Sequence, residues 1–181
     1  LISDIIGAEE GRFQIAIYKK DSGSFAMWWW GIVLNDLSGG TDDSPTIYTI
    51  TATDGLGILK GVEYQSSGSP IATQTAAATL MTALQNIPYD SFFAATDHFL
   101  HTRVDWFESA MASTAGDPAY WTYIPSTAFY TVDTDGNYTF KSCYEVIETI
   151  CNLFKARLMF ANGVWRFYQV YQLENKSSFT Y

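Results

Sequence analysis

Charge is scarce in this 181-residue chain: Asp, Glu, Lys and Arg supply 16% of it, while 48% is hydrophobic and 17% aromatic. An average soluble domain carries roughly 25% charged residues, so the deficit points either to surface covered by partner subunits or to a large, tightly packed core. Composition does not separate the two. Basic residues are the scarcest, 10 against 19 acidic ones, for a formal net charge of −9. That balance argues against a protein that neutralises a phosphate backbone, and it disfavours docking on anionic lipid. Long apolar runs are missing too: none approaches the ~18 residues expected of a membrane span, and no basic-then-apolar leader pattern opens the sequence. Cysteine is limited to Cys143 and Cys151, eight positions apart in a stretch that reads as one helix. That spacing separates them by about 12 Å along the axis, out of disulfide reach, so both are expected as reduced core residues. Two thiols are also too few for a structural zinc site.

What is present reads as strands first. Arg12-Phe13-Gln14-Ile15-Ala16-Ile17-Tyr18-Lys19-Lys20 alternates, placing Phe13, Ile15 and Ile17 on one face of a half-buried strand. Asp21-Ser22-Gly23-Ser24 has turn chemistry, and residues 25–34 form the return strand of a hairpin. Its Met27-Trp28-Trp29-Trp30 run must point alternately up and down, so both faces need cover. Residues 35–45 read as a polar loop, residues 46–52 as a strand, residues 54–60 as a break with a helical turn, and residues 65–70 as a loop. Residues 75–87 read as a helix with Leu80, Leu84 and Ile87 on one face and Pro88 as its stop. Residues 97–109 fit neither period, and residues 110–118 are small and polar, as in an exposed loop. Residues 128–139 hold an aromatic stretch followed by a turn. Ser142-Cys143-Tyr144-Glu145 has the spacing of a capping box, and Val146, Ile147, Ile150, Phe154 and Leu158 follow on one helical face. Asn162-Gly163 then marks a second hairpin. The expected fold is α+β and β-rich, with antiparallel hairpins and two main helices packed on the sheet. It divides into a β-rich part over 1–64, a helix with a mixed insertion over 65–141, and a helix plus hairpin completing the fold over 142–181. Leu1-Ile2-Ser3 at one end and Phe179-Thr180-Tyr181 at the other are expected of a segment of a longer polypeptide.

Candidate chemistry is thin. His98 and His101, with Asp97 and Asp105 nearby, would gather on a helix as a metal site, but His residues without a flanking signature more often cap, hydrogen-bond or face water. Asp133-Thr134-Asp135-Gly136-Asn137 begins like a calcium loop. It then has Tyr138 where Gly is needed and Tyr144 where a bidentate Glu is needed, so a β-turn explains the same residues better. There is no Gly-x-Ser-x-Gly elbow, and Asp54-Gly55-Leu56-Gly57 lacks the rest of a dinucleotide fingerprint. No pair of the acidic residues stands out for sugar hydrolysis. No enzyme activity, cofactor or metal is expected. Aromatics at strand spacing are normally packing, with the triple Trp as the exception. One strand cannot bury three consecutive indoles on one face, so Trp28, Trp29 and Trp30 are the candidate inter-element or subunit contacts.

Four stretches carry a resemblance: Trp30-Gly31-Ile32-Val33-Leu34-Asn35-Asp36, the run Ile50-Thr51-Ala52-Thr53-Asp54-Gly55-Leu56-Gly57-Ile58-Leu59-Lys60, Tyr144-Glu145-Val146-Ile147, and Asn162-Gly163-Val164-Trp165-Arg166. In these the chain resembles the baseplate hub and tail-tip structural proteins of long-tailed bacteriophages, through short degenerate patterns spread over most of its length. The resemblance implies a virion tail protein, assembled in the host cytoplasm, that works by packing against copies of itself and neighbouring tail proteins. It further implies a ring homo-oligomer, a trimer favoured, around a channel whose acidic wall DNA slides past without sticking. Two other readings stay open. One is a carbohydrate-binding module using Trp and Tyr as platforms, and the other is a cell-wall hydrolase domain.

Overall fold

A computed structural model describes residues 12–40, 48–65, 73–88, 100–104 and 117–169, with the backbone alone over 35–39. Within them the chain is α+β and strand-rich, with ten strands and two α-helices. Strands β1 (Gln14–Asp21), β2 (Ser24–Gly40) and β3 (Tyr48–Thr53) form an antiparallel sheet in that order. A second sheet has the order β5 (Leu100–Arg103), β10 (Val164–Gln169), β9 (Ala156–Ala161), with β5 parallel and β9 antiparallel to β10. Two small ladders pair β4 (Gln74–Thr75) with β6 (Tyr123–Ile124) and β7 (Tyr130–Val132) with β8 (Tyr138–Phe140). The helices are α1 (Ala76–Leu84) and α2 (Cys143–Phe154). No helix among the described residues is long and apolar enough to cross a membrane.

The local rules behind these elements are visible at their ends. Thr75 caps α1 by accepting from the Ala78 amide, and Leu80, Leu84 and Ile87 are buried as their spacing predicts. At α2 the capping box is complete: the Ser142 hydroxyl accepts from the Glu145 amide at 3.2 Å, and the Glu145 carboxylate accepts from the Ser142 amide at 2.8 Å. The Ser142 hydroxyl also donates to the Glu145 carboxylate at 2.8 Å, and the bonds accepted from the Ser142 amide and hydroxyl hold the Glu145 carboxyl below the usual carboxylate range. Lys155, at φ 49°, stops α2 in a left-handed turn. Leu158, expected on the helical face, therefore lies in β9. The Asn162-Gly163 turn has both residues at positive φ, 53° and 74°, the geometry that a tight two-residue hairpin demands. Asp133 Oδ1 accepts from the amides of Asp135 and Asn137, a turn with its own carboxylate as the clasp.

One core joins all three sequence regions. Trp30 and Ile32 reach it from the first sheet, Leu80 and Leu84 from α1, Val146, Ile147, Ile150 and Phe154 from α2, and Phe160, Trp165 and Phe167 from the second sheet. Aromatic edges meet faces within it: Phe160 and Trp165 lie 5.4 Å apart at 70°, Phe154 and Phe167 5.8 Å apart at 89°. The start of α2 is tied back to the N-terminal region by Cys143 N–H donating to the Val62 carbonyl at 2.8 Å and Tyr64 N–H to the Lys141 carbonyl at 2.9 Å. Residues 35–40, expected as loop, instead continue β2, because Gly39 and Gly40 pair with Thr49 and Tyr48 past an irregularity after Leu34. The rest of that loop, residues 41–45, falls outside the described residues.

Both cysteines are free thiols on α2. Burial pushes Cys143 and Cys151 up to about 11 from an ordinary value of 9.0. In the unfolded chain these thiols ionise first. Their contribution to stability is therefore fully present below about pH 9 and lost as the pH rises toward about 11. A Cys143→Ala, Cys151→Ala double variant should show a urea midpoint that falls less steeply across that window than the parent's. Parallel curves for the two proteins would contradict this.

Candidate functional site

The first sheet is built so that only part of it meets the core. β2 pairs with β1 along its first half and with β3 along its second, and the two ladders overlap only around Ile32. The register places Gln14, Ala16, Trp30 and Ile32 on the core-facing side, and the same side continues outward through Tyr18, Met27, Lys20 and Phe25. Burial falls off along that line. Ile32 and Trp30 are sealed and Met27 is half-buried, but Tyr18 is 48% and Phe25 70% exposed. Every residue from 17 to 26 is exposed on either face, so the β1–β2 hairpin projects from the body as an arm. Its tip is the Ser22-Gly23 turn, both residues at positive φ. Lys20 Nζ lies 5.9 Å from the Phe25 ring centroid, a cation–π pair on the overhanging side.

The three tryptophans have three different fates. Ile17 pairs with Trp29 and Tyr18 with Met27, which leaves Trp28 as the extra residue of a β-bulge. Trp30 is 1% exposed, donates from Nε1 to Gln14 Oε1 at 3.1 Å, and meets Phe160 of β9 edge-on at 6.4 Å. Trp29 is half-buried, its indole laid along its own strand over Gly31. Trp28 remains 50% exposed. The bulge thus removes the strict alternation expected of this run. The face expected to be buried also changes: Ile15 and Ile17 lie on the side away from the Trp30 core, and Ile17 is exposed.

Where the arm leaves the body, the β9–β10 turn is seated on it. Asn162 N–H donates to the Trp28 carbonyl at 2.8 Å, and a Cβ on Gly163 would stand 3.2 Å from the Met27 carbonyl oxygen. Beside this junction is a cleft of about 560 Å³ lined by Lys19, Asp21, Ala26, Met27, Trp28, Asn162 and Arg166. The Arg166 guanidinium is braced there, Nε donating to the Ala161 carbonyl at 3.1 Å and Nη1 to the Tyr168 hydroxyl at 2.9 Å. A second hollow of about 420 Å³ runs beside β1, lined in part by Phe13, Gln14, Ala16, Tyr18 and Trp30. A separate group of exposed aromatics, Tyr120, Trp121 and Tyr123, sits around the start of β6.

The other sequence candidates do not gather. Of the proposed His and Asp cluster only His101 is described, exposed on β5, a strand where a helix would be needed to group the ligands. His98, Asp97 and Asp105 lie outside the described residues. Among the described residues no group of three His, Cys, Asp or Glu side chains is placed to hold a metal. Tyr18, Phe25 and Lys19 were not site candidates from the sequence, and Asn162 and Arg166 stood there only for the second hairpin and the resemblance, although Lys19-Lys20-Asp21 at the end of a strand was a signal that this end lies in water. Compared with protein-family models, curated proteins and solved structures, the chain matches none.

Proposed function

We propose that this chain is a structural assembly subunit, acting by packing against other copies of itself through the β1–β2 arm and not by catalysis. The observation that carries the reading is the core-facing side of the hairpin running out past the body, from sealed Trp30 to exposed Tyr18 and Phe25. A two-stranded ribbon with bulky apolar residues in water is marginal by itself, and a neighbour that continues the core over it removes that cost. A projecting arm that docks on a different surface of the next copy makes a heterologous contact, and such contacts close into rings when the rotation permits. The low charge content fits a surface of which part is covered in the assembly. On the resemblance in sequence, the assembly is the hub or tip of a bacteriophage tail, with a ring of three copies favoured.

The test is sedimentation velocity from micromolar to millimolar protein. The parent chain is expected to associate, and a Tyr18→Ser, Phe25→Ser double variant to stay monomeric, with the parent's melting temperature at concentrations where the parent is monomeric too, since neither side chain is part of the core. A parent that sediments as a monomer throughout, or a double variant that associates equally, would sink the reading. A map of an intact phage tail containing this chain tests the location and the symmetry.

A further inference from the structure

The cleft at the base of the arm draws Lys19, Asp21 and Ala26 from the side opposite Tyr18 and Phe25, and is closed by Met27 and the bulge residue Trp28 where the arm meets the β9–β10 turn. Its volume of about 560 Å³ falls within the ~300–1,000 Å³ of small-ligand sites. The lining is chemically mixed. Trp28 offers a half-exposed indole, Asn162 contributes an amide, and Lys19, Asp21 and Arg166 contribute charge. Among the described residues, the two cations and one carboxylate of the lining leave a single net positive charge, in a chain whose overall charge is −9. That matches a monoanion better than a dianionic phosphate. Arg166 is held by two hydrogen bonds and stacks with its cation 5.8 Å from the Tyr168 centroid, so its remaining N–H groups are fixed before any ligand arrives. A pre-oriented guanidinium suits a planar carboxylate.

We propose that this cleft binds a carboxylated sugar, a hexuronic acid residue of an acidic polysaccharide. The apolar face of the pyranose stacks on Trp28, the carboxylate pairs with Arg166 and Lys19, and ring hydroxyls donate to Asp21 and accept from Asn162. Neither Tyr18 nor Phe25 lines the cleft, so the site goes beyond the assembly reading and does not require it.

Calorimetric titration of the intact chain with a galacturonate trimer and a glucuronate-containing oligosaccharide tests the proposal. The galacturonate methyl ester, an N-acetylglucosamine trimer and a nucleoside monophosphate serve as comparisons. At least one acidic sugar should bind, its affinity should fall with added salt, and the ester should bind about tenfold or more weakly. Trp28→Ala should abolish binding, and Arg166→Lys should weaken it about tenfold by losing the braced fork while keeping the charge. Lys19→Gln, at an exposed position, should weaken it with an unchanged melting temperature, and it replaces Arg166→Lys if that variant is destabilised. Silence with both acidic sugars at millimolar concentration would overturn the proposal. So would equal binding of acid and ester, binding retained in Trp28→Ala, or tighter binding of the nucleotide.

Discussion

Replacing Trp30 with alanine is expected to lower the free energy of unfolding by about 3–5 kcal/mol, the range for removing a large aromatic from a packed core. The side chain is 1% exposed and touches the second sheet through Phe160, so its loss opens a void where the two sheets meet. The edge-to-face pair accounts for roughly 0.5–1.5 kcal/mol of this beyond area burial. The Nε1 bond to Gln14 adds little, because that amide is only half-buried and water can replace the donor. Against a typical domain stability of about 5–15 kcal/mol the loss is large. Urea unfolding should show a lower midpoint at unchanged slope. Trp28→Ala, two residues away and half in solvent, is the internal comparison. If it costs as much as Trp30→Ala, the burial described for this strand is wrong.

Gly31→Ala should be nearly as damaging for a different reason. Gly31 does not need its conformational freedom, since its φ is not positive. What it supplies is room: a Cβ there would collide with the Trp29 indole at Cη2 and stand 2.5 Å from the Thr53 carbonyl oxygen of β3. The ring can swing away. The carbonyl belongs to the neighbouring ladder and moves only if the β2–β3 register gives. Overpacking of this kind costs about 1–3 kcal/mol, and the backbone contact argues for the upper end. A double-mutant cycle with Trp29→Ala separates the two parts by urea unfolding. Removing the indole should recover some of the loss but not all of it. Full recovery would mean that the Thr53 contact carries nothing, and no loss at all in Gly31→Ala would remove the account of why an aromatic–glycine pair stands here.

The elements legible in the sequence were those whose signal is local. The capping box at Ser142, the Asn162-Gly163 turn, the Ser22-Gly23 turn and the Leu80, Leu84, Ile87 spacing each act within a few residues, and each appears where its chemistry predicts. The misplaced features depend on distant partners. Gly39 and Gly40 look like loop, yet the edge offered by Tyr48 and Thr49 keeps them in a strand. Leu158 keeps helical spacing, but a left-handed Lys155 turns the chain before it. The Trp run showed that three indoles could not share a face. It did not show that a bulge would divide them among core, strand surface and solvent, because a bulge is a property of two strands in register and not of one. For the same reason the exposed side of the arm was hidden. Nothing in Arg12 to Lys20 says where the covering second sheet stops, and only the paired lysines hint at it. The cleft joins residues more than a hundred positions apart, and no single stretch of sequence carries it.

The stagger of the first sheet has a mechanical meaning. Because the ladders overlap only around Ile32, the sheet amounts to two two-stranded ribbons joined end to end through one continuous strand. Because the Ser22-Gly23 turn joins β1 to β2 covalently at the tip, a pull along the arm runs down both strands together, and the part carried by β2 passes into the β3 ladder, whose antiparallel pairs take it in shear. A sideways pull meets only the bending stiffness of a two-stranded ribbon, since the β3 pairing begins at Ile32 and does not extend along the arm. The arm is therefore stiff under tension along its length and yielding across it, the combination that the proposed docking on a neighbouring copy requires.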